Sequence, residues 1–489
     1  MRLTQPSLVI IVALASAAAV LPASETPAAK SPVVFKDCTA ALGLKLGTDA
    51  ACWVDLDNDG WVDLCASGVA WKNDHGTNFN RLADVGLVIA ADFDNDGFVD
   101  LFSYSQMKLY HNEGGKKFTE FKLPELPRTV SRGACWGDFN GDGFVDLFIG
   151  GYEDWEKQIT FPSFILLNEQ GRSFKLVWTR SDFRTRGVTA CDFDRDGALD
   201  VYVSNYRLQP NQLYHNDGTG HFTDVAAAYN ALNTSPGFDG GHSIGAAWGD
   251  FDNDGCFDLF AGNFAHVDTR GDQPKSRFLR NLGPKRGFHF QDLGPCGIFY
   301  QESYASPAAG DYDNDGNLDL YFTTVYGVAS FKRPNFPVLF RNQGKFAFAD
   351  VTQEAGLAQL PPTYQAAWAD FNHDGNLDLV TGGKLFVNQG GGGHWLEVRL
   401  SGDGRRVNRS AIGAQVRVKL KSAVLTRQVE AGTGEGNQND LTLHFGLGAQ
   451  SKPVNLEVFW PDRTVQIVKD VPPDRLVDIE FKPPAAPSR

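Results

Sequence analysis

The fold of this chain is decided by ten residues, DFDNDGFVDL, at Asp92–Leu101. Four aspartates fall within nine positions, set among Phe, Val and Leu. Carboxylates at positions 1, 3 and 5 of a tight loop can converge on one point, and glycine at position 6 permits the sharp turn. A hard divalent cation takes about 6–8 oxygens, which carboxylates and a backbone carbonyl supply. The calcium loop of helix–loop–helix proteins starts the same way but ends with glutamate at position 12. Here an aspartate at position 9 closes the loop, and strand-like residues follow. Many flexible carboxylates suit calcium better than the smaller magnesium.

The pattern occurs seven times, at spacings of 37, 46, 54, 58, 61 and 59 residues. Positions 1, 3, 5 and 9 are Asp55, Asp57, Asp59 and Asp63 in the first copy and Asp92, Asp94, Asp96 and Asp100 in the second. The third has Asp138, Asn140, Asp142 and Asp146, and the fourth Asp192, Asp194, Asp196 and Asp200. Asp250, Asp252, Asp254 and Asp258 form the fifth, and Asp311, Asp313, Asp315 and Asp319 the sixth. The seventh has Asp370, Asn372, Asp374 and Asp378. Solvated Asp-Gly turns would explain one copy, but not seven with the same four positions. The expectation is up to seven bound Ca2+ ions.

Repetition at this period points to a propeller or a solenoid. A second word follows each loop: LYHNEGGKKF (Leu109–Phe118) recurs as LYHNDGTGHF and LFRNQGKFAF. Each copy reads as strand, Asn-headed turn, strand. An apolar strand such as GACWGDF (Gly133–Phe139) precedes each loop. Four strands repeated seven times predict an all-β, seven-bladed β-propeller over residues 33–393. The seventh repeat lacks its fourth strand. VVFKDCTAALGL (Val33–Leu44) matches FAFADVTQEAGL (Phe346–Leu357) in register, so residues 33–38 are expected to close the last blade.

The loops resemble the FG-GAP (VCBS) repeats of the integrin α-subunit propeller, and that resemblance implies calcium in them. NRSAIGA (Asn408–Ala414), LHFGLG (Leu443–Gly448) and FWPDRTVQ (Phe459–Gln466) resemble the ASPIC/UnbV domain. That domain follows such propellers in bacterial secreted proteins and in the cartilage acidic protein family. Alternating apolar residues, many Val and turn-rich joints predict a small C-terminal β-sandwich-like domain over 394–482, in line with the resemblance, and PPAAPSR a disordered tail, 483–489. One departure is WPDR, where the family usually has Trp-Pro-Ser-Gly, and it puts the turn after Pro461 in question.

The apolar run after Arg2 predicts a secretory signal peptide over 1–28, with an uncleaved anchor as the alternative. Localisation is then secreted, periplasmic or cell-surface, with no membrane span after cleavage. The formal charge of −14 argues against a nucleic-acid partner. Of the 59 acidic residues, 26 lie in the loops, so the acidity belongs to the ion sites. Of the seven cysteines, Cys52 and Cys135 occupy positions that other repeats fill with alanine, and no disulfide framework is predicted.

Arg132, Arg184, Arg186, His242, Tyr304 and Tyr364 fall six to eight positions before a loop. If the strands they start are innermost, these side chains ring one mouth of the central channel, exposed to solvent. Trp155, Tyr206, His266 and Tyr326, on long connections, would reach the same face. Arg, His and Tyr suit an acidic sugar or a peptide, so the expectation is an extracellular binding or adhesion module for a glycan or protein. The alternative is a carbohydrate-active enzyme resembling a polysaccharide lyase, with Arg on a uronate and Tyr or His moving a proton. GHSIG (Gly241–Gly245) matches a hydrolase nucleophile elbow but enters a strand rather than a helix. RGD (Arg270–Asp272) and the sequons at Asn233 and Asn408 are short matches of low specificity.

Overall fold

The computed structural model describes residues 33–421 and 423–483. Seven antiparallel four-stranded sheets use the chain as far as Asn388. In the third, the inner strand Ala134–Gly137 enters the aspartate loop and returns as Asp146–Ile149, followed outward by Ser163–Asn168 and Phe174–Arg180. The inner strands of successive sheets pack side by side, and the last, Ala366–Ala369, packs against the first, Ala51–Val54. The sheets therefore form a closed propeller. Its inner strands, such as ACWG and AAWA, are buried on both faces, one against the neighbouring sheet and one against the channel. That double burial explains their small and apolar residues.

The seventh sheet takes three strands from its own repeat and the fourth from the N-terminus. Phe35–Asp37 pairs antiparallel with Lys384–Asn388, placing Phe35 opposite Asn388 and Asp37 opposite Phe386. The two ends of the propeller are thus tied within one sheet, and an edge that would otherwise be bare is covered.

A buried asparagine joins each sheet to the one before it. Asn73, Asn112, Asn168, Asn216, Asn281, Asn342 and Asn388 head the turns after the third strands, each 0–2% exposed. Each side-chain amide donates to the position-8 carbonyl of its own loop, at 2.9–3.2 Å. It also donates to the position-2 carbonyl of the preceding loop, at 2.7–3.0 Å. Asn73 reaches back to Phe371 of the seventh loop, so the chain of bonds runs round the ring. Asn216→Ala would strip the Phe139 and Leu199 carbonyls of this donor. A loss of about 3 kcal/mol is expected, read by urea unfolding. A loss under about 1 kcal/mol would show that water replaces the latch.

After Asn388 the chain builds two further sheets. His394–Ser401 lies between Leu443–Gly448 (antiparallel) and Leu476–Glu480 (parallel). Gln415–Lys419 lies between Val424–Gln428 and Val454–Phe459, with Val465–Val471 outermost. This part rests on the loop face of the propeller. The Arg409 N–H donates to Asn95 Oδ1 at 2.8 Å, Gly448 N–H to the Asn314 carbonyl at 2.9 Å, and Val424 N–H to the Asn253 carbonyl at 3.3 Å. One hydrophobic cluster runs from Trp136 and Phe139 to Phe445 and Trp460, so the two parts share a core. In the WPDR turn Arg463 takes the left-handed φ of +69° that the family's glycine would adopt freely. Its side chain packs on Gly197 of the fourth loop.

The segment between the two C-terminal sheets leaves them and fills the channel. Trp136 N–H donates to the Ala431 carbonyl at 2.9 Å, Gly434 N–H to the Ala246 carbonyl at 3.0 Å, and Trp53 N–H to the Gln438 carbonyl at 3.1 Å. The Asn437 side chain accepts from Ala51 N–H at 3.0 Å and donates to the Tyr364 carbonyl at 2.8 Å. The close fit demands glycine on both sides: a Cβ on Gly187 or Gly245 would collide with Gly434. The sequence reading has no such plug; it treats 394–482 as a separate domain and the channel as open.

No helix among the described residues is long and apolar enough to cross a membrane. The signal-peptide segment 1–28 lies outside the described residues, as does 484–489 of the expected tail.

Candidate metal loops and channel mouth

The seven loops share one backbone. Position 4 is left-handed in all of them, with φ between +56° and +70°, and is Asn in four. Position 6 is glycine at φ +82° to +98°, a region where a side chain is strained. The position-1 carboxylate accepts the Gly N–H of position 6 at 2.6–3.1 Å. The position-9 carboxylate accepts the latch asparagine's backbone N–H at 2.7–2.9 Å. These bonds aim the carboxylates at a common point. In the first, second and fourth loops, oxygens of positions 1, 3 and 9 lie within 4.8 Å of one another.

The donor set fits a hard divalent cation. It is all oxygen, and Asp55 Oδ1, Asp57 Oδ1 and Asp252 Oδ1 are buried with no hydrogen-bond partner. Burial pushes Asp63, Asp92, Asp138, Asp192, Asp250 and Asp370 up to about 7, opposed in part by backbone N–H groups, or at Asp250 by Thr426 and Arg427, and pushes Asp100 up to about 9. Asp146, Asp200, Asp258 and Asp378 shift the same way, again from burial first and neighbouring carboxylates next. Such a cluster is costly without positive charge at its centre.

At the other end of the channel the plug tip meets a group of cationic and aromatic side chains. Arg186 donates through Nε and Nη2 to Glu435 Oε1 at 2.8 and 2.6 Å. Both residues are buried, at 6% and 3% exposure. The guanidinium lies 5.0–5.4 Å from the rings of Tyr152, Tyr206 and Tyr364. Burial works against the Arg186 charge, and the Glu435 carboxylate together with Tyr364 and Tyr152 more than restores it. Burial pushes the Glu435 carboxyl up, while Arg186 holds it down. Arg132 is exposed and lies 5.9 and 6.0 Å from the Tyr152 and Tyr364 rings. Arg184 and Arg207 both pair with Glu153, and Arg207 covers the Trp155 ring at 3.7 Å.

Of the six expected mouth residues only Arg132 is exposed; Arg184 and Tyr364 are half-buried and the other three are buried. Arg186 is buried because the plug covers it. His242, at 2% exposure, packs edge-on against Tyr206 and His266 at 4.7 and 5.0 Å. Tyr304 stacks on Phe322 at 4.2 Å inside a core between sheets and faces away from the mouth. Arg132, Arg186, His242 and Tyr364 do come together, with Tyr206 and His266 from the connections. Sequence reasoning missed Tyr152, which opens a connection with no other signal, and Glu435, which comes from the plug.

The remaining motifs resolve simply. Ser243 is fully buried in a strand and donates to Asn263 Oδ1 at 2.7 Å, so no nucleophile elbow exists. Arg270 and Asp272 are exposed at a short hairpin, Val267–Asp268 with Gly271–Asp272. Asn233 and Asn408 are buried, at 3% and 0%, which closes both sequons to a glycosyl group in the folded protein.

Comparison with known proteins bears on both parts of the chain. The FG-GAP-like repeat family matches residues 92–149 and 192–261, and the ASPIC and UnbV family matches 404–486. Cartilage acidic protein 1 of Mus musculus is 28% identical over 289 residues, covering 57% of this chain and 42% of the relative. The Homo sapiens protein is 28% identical over 289 residues, covering 57% and 41%. The chain thus spans about two fifths of the length of these curated relatives. Among solved structures, BBS1N in complex with ARL6DN has a TM-score of 0.44 at 14% identity, covering 73% of this chain and 97% of that one. Rhamnogalacturonan lyase YesW has a TM-score of 0.39 at 13% identity, covering 70% and 71%. Those scores are too low to bear on activity. The chain thus carries matches to the FG-GAP-like repeat and to the ASPIC and UnbV domain, and it is similar to cartilage acidic protein 1.

Proposed function

We propose that this protein is a secreted binding module. Its scaffold is a seven-bladed propeller stabilised by calcium in loops such as Asp92–Asp100, and its ligand site is the channel mouth. The observation that carries the reading is the convergence of Arg132, Tyr152, Tyr206 and Tyr364 above the Glu435–Arg186 pair. Arg186 has its charge matched by Glu435, whereas Arg132 stands exposed beside two rings. An anionic group on a glycan or a protein can pair with Arg132 while a sugar face or an apolar side chain lies on the tyrosines. Calcium would be held by the carboxylates at positions 1, 3, 5 and 9 and would supply the positive charge at the loop centres.

The test is a binding screen against acidic glycans and matrix proteins, followed by Arg132→Ala. Loss of one charge-assisted bond should weaken binding by about 10- to 100-fold, with the melting curve unchanged. A hit that binds Arg132→Ala as tightly as wild type rules out the mouth. Absorbance from an unsaturated uronate in the same screen would instead identify a lyase.

A further inference from the structure

The residue before each latch asparagine covaries with the loop it faces. In the first, second, fourth, fifth and sixth loops, where position 3 is aspartate, it is basic: Lys72, His111, His215, Arg280 and Arg341. In the third and seventh loops, where position 3 is asparagine, it is Leu167 and Val387. A loop with four carboxylates therefore has a basic residue at this position, and a loop with three does not.

The contacts follow the same rule. Every basic group lies against Oδ2 of positions 3 and 5. Arg280 is 2.6 and 3.1 Å from Asp252 and Asp254, Arg341 2.7 and 2.9 Å from Asp313 and Asp315, and His111 3.2 and 3.3 Å from Asp94 and Asp96. In the other two loops the asparagine amide takes over this bridge. Asn140 Nδ2 donates to Asp142 Oδ2 at 3.2 Å and Asn372 Nδ2 to Asp374 Oδ2 at 3.1 Å. The opposite oxygens are left for the loop interior: Asp57 Oδ1 and Asp252 Oδ1 are buried and have no partner. The basic side chains stay 28–37% exposed, at the outer edge of the loop.

We infer that this residue is an outer charge compensator: it holds the outer oxygens of positions 3 and 5, leaves the inner oxygens to the ion and, where it is Lys or Arg, levels the loop's charge with that of the three-carboxylate loops. The inference rests on the calcium reading above. Its signature is not a loss of stability alone, which any ion pair would show, but a change in how much calcium raises the melting temperature. Without Arg280 the calcium-free fifth loop repels itself more strongly, while the loaded loop is still neutralised by the ion. With Asp252 replaced, Arg280 faces a loop that has lost an ion ligand.

The experiment uses the full mature chain with calcium or with chelator, and reads calcium per chain and the melting temperature in each. Arg280→Leu should enlarge the calcium-dependent increment by about 2–4 °C. Asp252→Asn should shrink it by a similar amount. The double variant, which copies the third and seventh loops, should return it to the wild-type size. Equal losses with and without calcium in Arg280→Leu, or a double variant whose increment stays as small as that of Asp252→Asn alone, overturn the compensator role. So does an additional calcium ion in Arg280→Leu, since the guanidinium would then have occupied the ion's place. Wild-type protein that holds no calcium overturns the calcium reading itself, and the compensator with it.

Discussion

Chelating divalent cations will lower the melting temperature by more than about 10 °C, the size of effect expected when several kcal/mol are lost from a domain this large. An ion that binds only the folded loops stabilises the protein in proportion to RT ln(1 + [L]/Kd), and seven loops add their terms. The loops are not surface ornaments. Their position-9 aspartates are buried and hold the backbone of the latch asparagines, whose side chains join successive sheets. Their opposite side carries the C-terminal sheets, through Asn95, Asn253 and Asn314. Removing charge from the loop centres should therefore loosen the ring and the docked domain together. Differential scanning calorimetry with and without chelator checks this, and Asp94→Ala should act in the same direction but less. A single unshifted transition in chelator would mean that the loops are held by hydrogen bonds alone.

Arg186→Ala should cost about 3–5 kcal/mol, because it leaves the Glu435 carboxylate buried at the plug tip without its partner. The loss should depend on pH in a defined direction. Burial already raises Glu435 above the ordinary range, and Arg186 opposes that rise. In the variant the folded value moves further above the unfolded one. Such a group contributes its full stability below the unfolded value and loses it as pH rises through the folded value. The deficit should be larger at pH 8 than at pH 5. Adding Glu435→Gln should recover much of it, and the double-mutant cycle gives the coupling. A deficit that is flat with pH would mean that Glu435 is not the charge left behind.

Much of this protein was determined by short words in its sequence. D-x-D-N-D-G-x-x-D is legible because carboxylate convergence, a left-handed position 4 and a glycine at position 6 restrict residue types locally. Counting those words sets the number of sheets. The F-x-D-x-T…G-L register shared by Phe35–Leu44 and Phe348–Leu357 points to a strand missing from the seventh repeat, and Phe35–Asp37 occupies that place. The basic or aliphatic residue before each latch asparagine is in the sequence too, but it acquires meaning only once it is seen over positions 3 and 5.

The rest was decided by tertiary structure. Nothing in EAGTGEGNQND says that it will fill a channel, since its partners are the main chains of inner strands drawn from several repeats. Arg186 reads as a rim residue from its position in its own repeat. It is buried because Glu435, 249 positions away, arrives above it. Tyr304 starts seven positions before its loop and His242 eight; one stacks in a core and the other joins the mouth. Local spacing determines where a side chain starts. What covers it depends on segments that meet only in the folded chain.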